Sequence, residues 1–315
     1  MNKLEDLRKM VTGEVSLNGL PQWKPDWLIE GLVERNAFNI LGGMQKVGKS
    51  LFRSHLMVAA VTGKPALGHF RVKPVKRALL LAGEERREVE EARLYRAAMG
   101  LGVEAESLPI HIMSQKGFFF DDEESFQQFM LMVVQDEYEL VVIDPLIRWH
   151  RRNENISGEL SPVLNRLRML HLFSTLILVH HLGKPTELDA DRPLGHMLRG
   201  TSDLAAIYDN LMVLKNTKGG HKMSRQLLMD CRYDAQPDPR KIDLNILSET
   251  AYTWDLHIGD EERVLAVVGP EPLSANEIQK LAKRNRAKVL TCLKSLAAQG
   301  LIEETPFGFV KKGST

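Results

Sequence analysis

The chain has 315 residues, and its 42 Lys and Arg face 41 Asp and Glu for a formal net charge of +1; no global field draws it onto nucleic acid, so any such contact has to be local. Hydrophobic content of 43% and charged content of 26% are ordinary for a globular protein and exclude a disordered or fibrous chain. Cores rarely grow past about 250 residues before splitting, so one medium α/β domain with something smaller beside it is expected.

The two cysteines, Cys231 and Cys292, are far apart and have no partner at metal-ligand spacing, which suits a reducing cytoplasm. The opening residues mix both charges and lack an apolar signal core, and no later apolar run reaches the roughly 18 to 20 residues of a membrane span. The expectation is a cytoplasmic protein without membrane contact.

Residues 1–35 hold Pro21, Pro25, Trp23 and Trp27 in a weakly patterned stretch that reads as an irregular lead-in. A strand-like run follows from Ala37, then a Gly-rich loop, then a helical pattern from Gly48 to Ala60 closed by Gly63 and Pro65. Apolar runs at Arg77 to Ala82, Leu140 to Asp144, Thr175 to His180 and Asn210 to Lys215 predict strands buried on both faces. Helical spacing between them, at Arg87 to Met99, Glu123 to Asp136 and Gly158 to Phe173, gives the β–α alternation that a parallel sheet requires. Met223 to Tyr233 and Tyr252 to His257 suggest closing strands, antiparallel at one edge.

The pattern changes near Ile258 to Asp260. Helices are predicted at Glu261 to Val268, Ser274 to Lys283 and Arg286 to Gln299, the second opened by a capping box of Ser274 and Glu277. Leu301 to Lys311 alternates around Pro306 to Gly308 as a β-hairpin. Three helices and a hairpin in that order resemble a winged-helix domain. The expected partition is therefore a lead-in over 1–35, a three-layer α/β domain over 36–258 and a winged-helix-like domain over 259–315.

The string Gly43-Met44-Gln45-Lys46-Val47-Gly48-Lys49-Ser50 matches the P-loop pattern at every fixed position, with a strand before it and the helical pattern from Gly48 behind it, so the residues from Gly43 through Leu51 are the candidate nucleotide-binding segment. Its backbone N–H groups would curl round the β-phosphate of ATP, Lys49 would reach the β and γ oxygens, and Ser50 would ligate Mg²⁺. Glu84 and Glu85 follow a buried strand directly, so a carboxylate stands at a strand's C-terminal edge, where it could polarise water. Spacing alone does not separate the two, and adjacent acids also suit a helix N-terminus. Leu140 to Asp144 has the form of a Walker B strand, with Asp144 as the second metal group.

His180 and His181 end another buried strand, where an imidazole can sense a γ-phosphate. Arg199, in Leu-Arg-Gly-Thr-Ser, could meet phosphate in its own or a neighbouring subunit; Lys215 and Lys218 compete for that task.

These pieces together resemble the RecA-like hexameric replicative helicases of the plasmid RepA type, related to DnaB helicases, over Trp27 to about Tyr233. Besides the P-loop, the resemblance rests on Trp27-Leu-Ile-Glu-Gly, Thr62-Gly-Lys-Pro, Gly83-Glu84-Glu85, Ile143-Asp144, His180-His181-Leu-Gly-Lys184 and Arg199-Gly-Thr-Ser. It implies a RecA-like three-layer P-loop NTPase core, a catalytic base within Glu84/Glu85, histidines that carry the phosphate signal toward DNA-binding loops, and ATP held between subunits of a ring. One departure is the single acid before Pro145, where some relatives carry two. The expected function is a ring-forming ATPase acting on single-stranded DNA as a replicative helicase of a plasmid, phage or mobile element, with primase or initiator proteins as further partners. The alternatives are a regulatory or recombination ATPase that switches or assembles without unwinding, and a DNA-binding adaptor built on an ATPase platform. In Ser274 to Gln299, the basic residues Lys280, Lys283, Arg284, Arg286 and Lys288 offer a local patch for phosphates.

Overall fold

The computed structural model describes residues 24–104, 106–114, 117–183, 192–200, 202–217, 223–232, 239–257, 259–282 and 285–312. Trp23, Pro21, Lys184, Thr201, Lys218, Tyr233, Ile258, Lys283 and Arg284 lie outside them.

Nine strands form one sheet. In chain order they are β3 (Phe38–Gly43), β4 (Ala78–Ala82), β5 (Ile110–Met113), β6 (Leu140–Asp144), β7 (Thr175–His181), β8 (Asn210–Asn216), β9 (Ser224–Cys231), β10 (Arg240–Ser248) and β11 (Ala251–Leu256). Their spatial order is β11-β10-β9-β8-β3-β7-β6-β4-β5. The six strands from β8 to β5 are mutually parallel, whereas β9, β10 and β11 add on antiparallel.

The parallel part is Val-, Ile- and Leu-rich because helices cover both faces. Leu140 and Val142 of β6 face one apolar cluster, built with α1 (Lys49–Thr62) and α2 (Arg87–Gly100). Val141 and Ile143 face the other, built with α3 (Glu123–Gln135), α4 (Ser157–Leu170) and α5 (Ser202–Ile207). This period-two partition gives each strand two dry faces and makes the core a three-layer α/β sandwich. Each Leu or Val sealed this way contributes about 1.5–3 kcal/mol.

Three expectations are corrected. The stretch read as an irregular lead-in contains a hairpin, β1 (Trp27–Ile29) with β2 (Val33–Glu34), and buries Leu28, Ile29, Leu32 and Val33. The edge strand β5 is an addition: it is short, half-buried and interrupted by His111, so it lacks a solid apolar run. The antiparallel edge has three strands rather than two, because the alternating β10, Arg-Lys-Ile-Asp-Leu-Asn-Ile-Leu-Ser, lies between the two that were expected.

After β11 come α6 (Asp260–Val267), α7 (Ala275–Ala282), α8 (Arg286–Ala298) and the hairpin β12 (Ile302–Thr305) with β13 (Gly308–Lys311). They share a separate apolar cluster centred on Val264, Ile278, Val289, Leu293 and Ile302. The capping box forms: the Ser274 backbone N–H donates to Glu277 Oε2 at 2.8 Å, and the Glu277 N–H donates to Ser274 Oγ at 3.3 Å.

Candidate functional site

Register brings the chemistry to one edge. Gly43 ends β3 opposite His181 of β7 and Leu214 of β8, and Ala82 ends β4 opposite Asp144 of β6. The Gly83 N–H donates to the Asp144 carbonyl at 2.8 Å, carrying that pairing one residue further and placing Glu84 just beyond Asp144. Beyond β7 the chain returns: the Arg199 N–H donates to the His181 carbonyl at 2.9 Å, and Leu182 bridges Leu198. All of this lies at the C-terminal ends of parallel strands, where ligands of open α/β sheets bind.

The loop from Met44 to Gly48 turns sharply into α1. Lys46 has φ 61° and Gly48 φ 104°. At Gly48 a side chain would be doubly unwelcome, in a left-handed conformation and 3.2 Å from the Trp254 ring. Trp254 also meets Phe52 edge-on at 5.4 Å, and Arg225 Nε donates to the Val47 carbonyl at 2.7 Å, so β11 and β9 brace the loop from behind. Ser50 and Leu51 sit in the first turn of α1, and the Leu51 carbonyl accepts a hydrogen bond from the Tyr252 hydroxyl at 2.9 Å.

Lys49 is buried, and its Nζ donates to the carbonyls of Gly43 at 2.8 Å and Met44 at 3.0 Å. Burial pulls its pKa below the ordinary lysine value, while Asp144 and Glu84 oppose that shift. Its ammonium also lies 3.3 Å from His181 Nδ1. Burial, then Lys49 and His180, hold His181 below the usual imidazole range. His180 is almost fully enclosed, and its Nε2 is 2.7 Å from the Arg199 carbonyl. A carbonyl can only accept, so that nitrogen carries a proton; burial keeps the ring neutral by lowering its pKa.

The two adjacent acids are separated. Glu84 lines a cleft of about 250 Å³ together with Gln45, His180, His181 and Arg199, and accepts from Arg148 at 3.3 Å. Glu85 turns away and accepts from Arg93 NH2 at 2.9 Å. Lys215 is partly buried near the end of β8 and does not line this cleft. A larger groove of about 580 Å³, between α2 and β5, contains none of these residues.

Several participants went unnoticed in the sequence. Arg53, fully buried in α1, contacts Asp144 Oδ2 through Nε at 3.2 Å and NH2 at 3.1 Å, and Glu90 Oε2 through NH2 at 2.8 Å. Arg93 then joins Glu90 to Glu85. Glu154 and His150, both buried, stand 3.5 Å apart beside the cleft, an ion-pair distance rather than a formed hydrogen bond. Burial works to raise the Glu154 pKa, but His150, His180 and Arg199 outweigh it and hold the group low. Gly200, at φ 107°, lets the chain pass the Glu154 carbonyl, which a Cβ would approach to 2.9 Å. A visible signal for Arg53 was its place in Phe52-Arg-Ser-His-Leu-Met-Val-Ala-Ala: a helix apolar on nearly every side is buried, and a charge within it must be paired.

The residues fit a nucleoside triphosphate and a magnesium ion. A left-handed glycine opens the helix, a lysine ammonium lies under the loop, and an acid with only part of its side chain accessible stands at a strand end near them. Ser50 and Asp144 would hold the metal and Lys49 the phosphate oxygens. Among the described residues no group of three or more His, Cys, Asp or Glu side chains is arranged to take a metal by itself, and no helix is long and apolar enough to cross a membrane.

Among solved structures, the fold is similar to a KaiC-like protein of Pyrococcus horikoshii OT3, at 17% identity and a TM-score of 0.47, covering 73% of this chain and 94% of that one. No curated protein matches the sequence. The model of the AAA domain family AAA_25 matches residues 6–187, more than half of the chain and a span that includes the loop, Glu84, Asp144 and both histidines. With that match the chain belongs to the AAA domain family AAA_25, and this sheet edge is that of a P-loop ATPase.

Proposed function

We propose that the chain is the subunit of a ring, a hexamer, that hydrolyses ATP to move along single-stranded DNA as the replicative helicase of a plasmid, phage or other mobile element. The observation that supports this reading is a continuous polar path. Lys49 meets His181, the His181 carbonyl accepts from the Arg199 N–H, and the Arg199 carbonyl is held by His180. Residues 192–200 therefore hang on the His180 imidazole and the His181 main-chain carbonyl, next to the phosphate end, and the Arg199 side chain is exposed. A motor needs such a link, because loss of a phosphate has to change the position of a surface element.

In this reading Lys49 neutralises the β- and γ-phosphate oxygens, and Glu84 accepts a proton from the attacking water. The magnesium ion supplies charge neutralisation at the phosphates, and Ser50 and Asp144 hold it. Arg199 would reach the phosphates of a neighbouring subunit, with Lys215 and Lys218 as the competing groups. The partition into an ATPase domain over 36–258 and a winged-helix-like domain over 259–315 belongs to the same proposal. There Lys280 and Arg286 are exposed, and Lys288 is paired with Asp260 at 3.2 Å. Primase or initiator proteins are the partners this role calls for.

The test is unwinding of a forked duplex. ATP-driven strand separation by the purified chain, lost in Lys49→Ala, is expected. ATP-dependent assembly on DNA with no strand separation would instead select a regulatory or recombination ATPase, and DNA binding that survives Lys49→Ala but requires residues 259–315 would select an adaptor.

A further inference from the structure

We infer that Arg53 is a positioning residue for the metal acid: its planar guanidinium, anchored on Glu90, fixes the rotamer in which Asp144 meets the magnesium ion. The inference rests on the nucleotide-site reading above and adds a residue to it.

The geometry is specific. Arg53 is fully buried one turn into the helix that begins with Lys49 and Ser50. Nε and NH2 both meet the same oxygen, Oδ2 of Asp144, at 3.2 and 3.1 Å, which leaves Oδ1 outside the pair. NH2 also meets Glu90 Oε2 at 2.8 Å, and Glu90 is itself buried and held by Arg93 NH1 at 2.9 Å. The remaining nitrogen, NH1, is buried without a hydrogen-bond partner. A guanidinium enclosed at this desolvation cost, with one nitrogen unsatisfied, is hard to explain as a device for stability, since an apolar side chain would fill the space more favourably. A role at the site accounts for it. Asp144 ends β6, where nothing else described holds its side chain, and a carboxylate that binds a hydrated ion has to present one oxygen in a fixed direction. A fork gripping Oδ2 from behind does that, and a lysine, a point charge on a flexible stem, does not.

Two effects of removing Arg53 have opposite signs. A cation beside Asp144 withdraws charge from it, so on Coulombic grounds its loss would tighten metal binding; lost orientation would weaken it. Arg53→Lys keeps the charge and removes the fork, isolating orientation. Arg53→Met removes both.

The experiment titrates Mn²⁺ into the full chain saturated with ADP, reading free metal by its EPR signal, and measures ADP affinity separately in EDTA. Arg53→Lys should bind ADP in EDTA like the parent yet need about tenfold more Mn²⁺ for half-saturation, the range typical of lost outer-shell partners. Glu90→Gln should shift Mn²⁺ in the same direction by a smaller factor, and it carries the test if Arg53→Lys does not unfold cooperatively. Unchanged or tighter Mn²⁺ affinity in a folded Arg53→Lys would overturn the inference, whereas Arg53→Met, compared with Arg53→Lys, measures the Coulombic part alone. Asp144→Asn distinguishes the two levels: if it weakens Mn²⁺ while Arg53→Lys does not, only the positioning role falls; if it has no effect, the assignment of the metal site falls as well.

Discussion

His181 Nδ1 lies 3.3 Å from Lys49 Nζ and completes, with the carbonyls of Gly43 at 2.8 Å and Met44 at 3.0 Å, a set of three acceptors for a group that has three protons. The contact needs an unprotonated Nδ1, since two cations at that distance repel. Burial, Lys49 and His180 lower the His181 pKa, so the ring stays neutral to pH values below the ordinary 6.5. ATP turnover is therefore expected to hold its plateau as pH falls through 6.5 and to decline only at more acid pH. A pH–rate profile whose acid midpoint lies at or above 6.5, and which disappears in His181→Asn, would contradict this wiring.

Glu84 and Glu85 are neighbours with different surroundings, one at the cleft and one committed to Arg93. Glu84→Gln should still bind ATP while hydrolysing it about 10²–10⁴-fold more slowly, the loss typical of a missing general base. Glu85→Gln should stay within a few-fold of the parent. Single-turnover rates for both variants decide the matter, and equal losses would remove the base from Glu84.

Arg225 reaches from β9 to the Val47 carbonyl at 2.7 Å, a brace on the phosphate loop from outside the parallel sheet. Replacing it by Met deletes a charge-assisted hydrogen bond worth about 1.5–3 kcal/mol. Not all of that is transmitted to the ligand. ADP affinity measured by calorimetry should fall roughly five- to tenfold, with the cooperative unfolding transition retained. An unaltered affinity would mean that the loop keeps its shape without the brace.

The P-loop and the Asp144 strand could be read without coordinates because their chemistry is local: a glycine turn between strand and helix, and an apolar run ending in an acid. Glu90 and Glu154 could not, since neither lies in a local pattern that announces burial; for Arg53 the apolar helix signals a buried, paired charge, but not its partners Glu90 and Asp144, which are 37 and 91 positions away. Glu84 and Glu85 illustrate the limit, as only their partners, Arg148 at the cleft for one and Arg93 for the other, tell them apart. Strand β10 is a different case: its alternation of Ile242, Leu244 and Ile246 with Lys241, Asp243 and Asn245 was available to a period-two reading.

His55 accepts the Leu67 N–H at Nε2, 3.0 Å away, inside the core, and burial lowers its pKa from 6.5 to about 3. The unfolded chain protonates this ring near 6.5 and the folded chain does not. Stability contributed by the neutral ring is thus intact above pH 6.5 and lost progressively as pH falls toward 3. Over that window the parent should lose stability with a slope that includes about one proton from this site. His55→Gln keeps an acceptor but cannot titrate, so urea unfolding at several pH values should show that proton missing from the slope. An identical slope in both proteins would place the acid sensitivity in other groups, such as His180 and His171, whose pKa values burial also lowers.

Arg199 is held by its backbone on both sides, its N–H on His181 and its carbonyl on His180, while its side chain is exposed. An arginine fixed in this way beside one subunit's phosphate end can serve its own site or the next. Mixing two inactive variants separates the cases. In Lys49→Ala the loop is dead but Arg199 is intact, and in Arg199→Ala the reverse holds. If Arg199 acts across a head-to-tail interface, a random equal mixture re-forms complete sites at about a quarter of its interfaces, and turnover should recover in that proportion. If it acts within its own subunit, no complete site exists in any mixture and the ATPase rate stays at the level of the separate variants. A third outcome, full activity in Arg199→Ala alone, would pass the trans role to Lys215 or Lys218, and the same mixing experiment with those substitutions then decides between them.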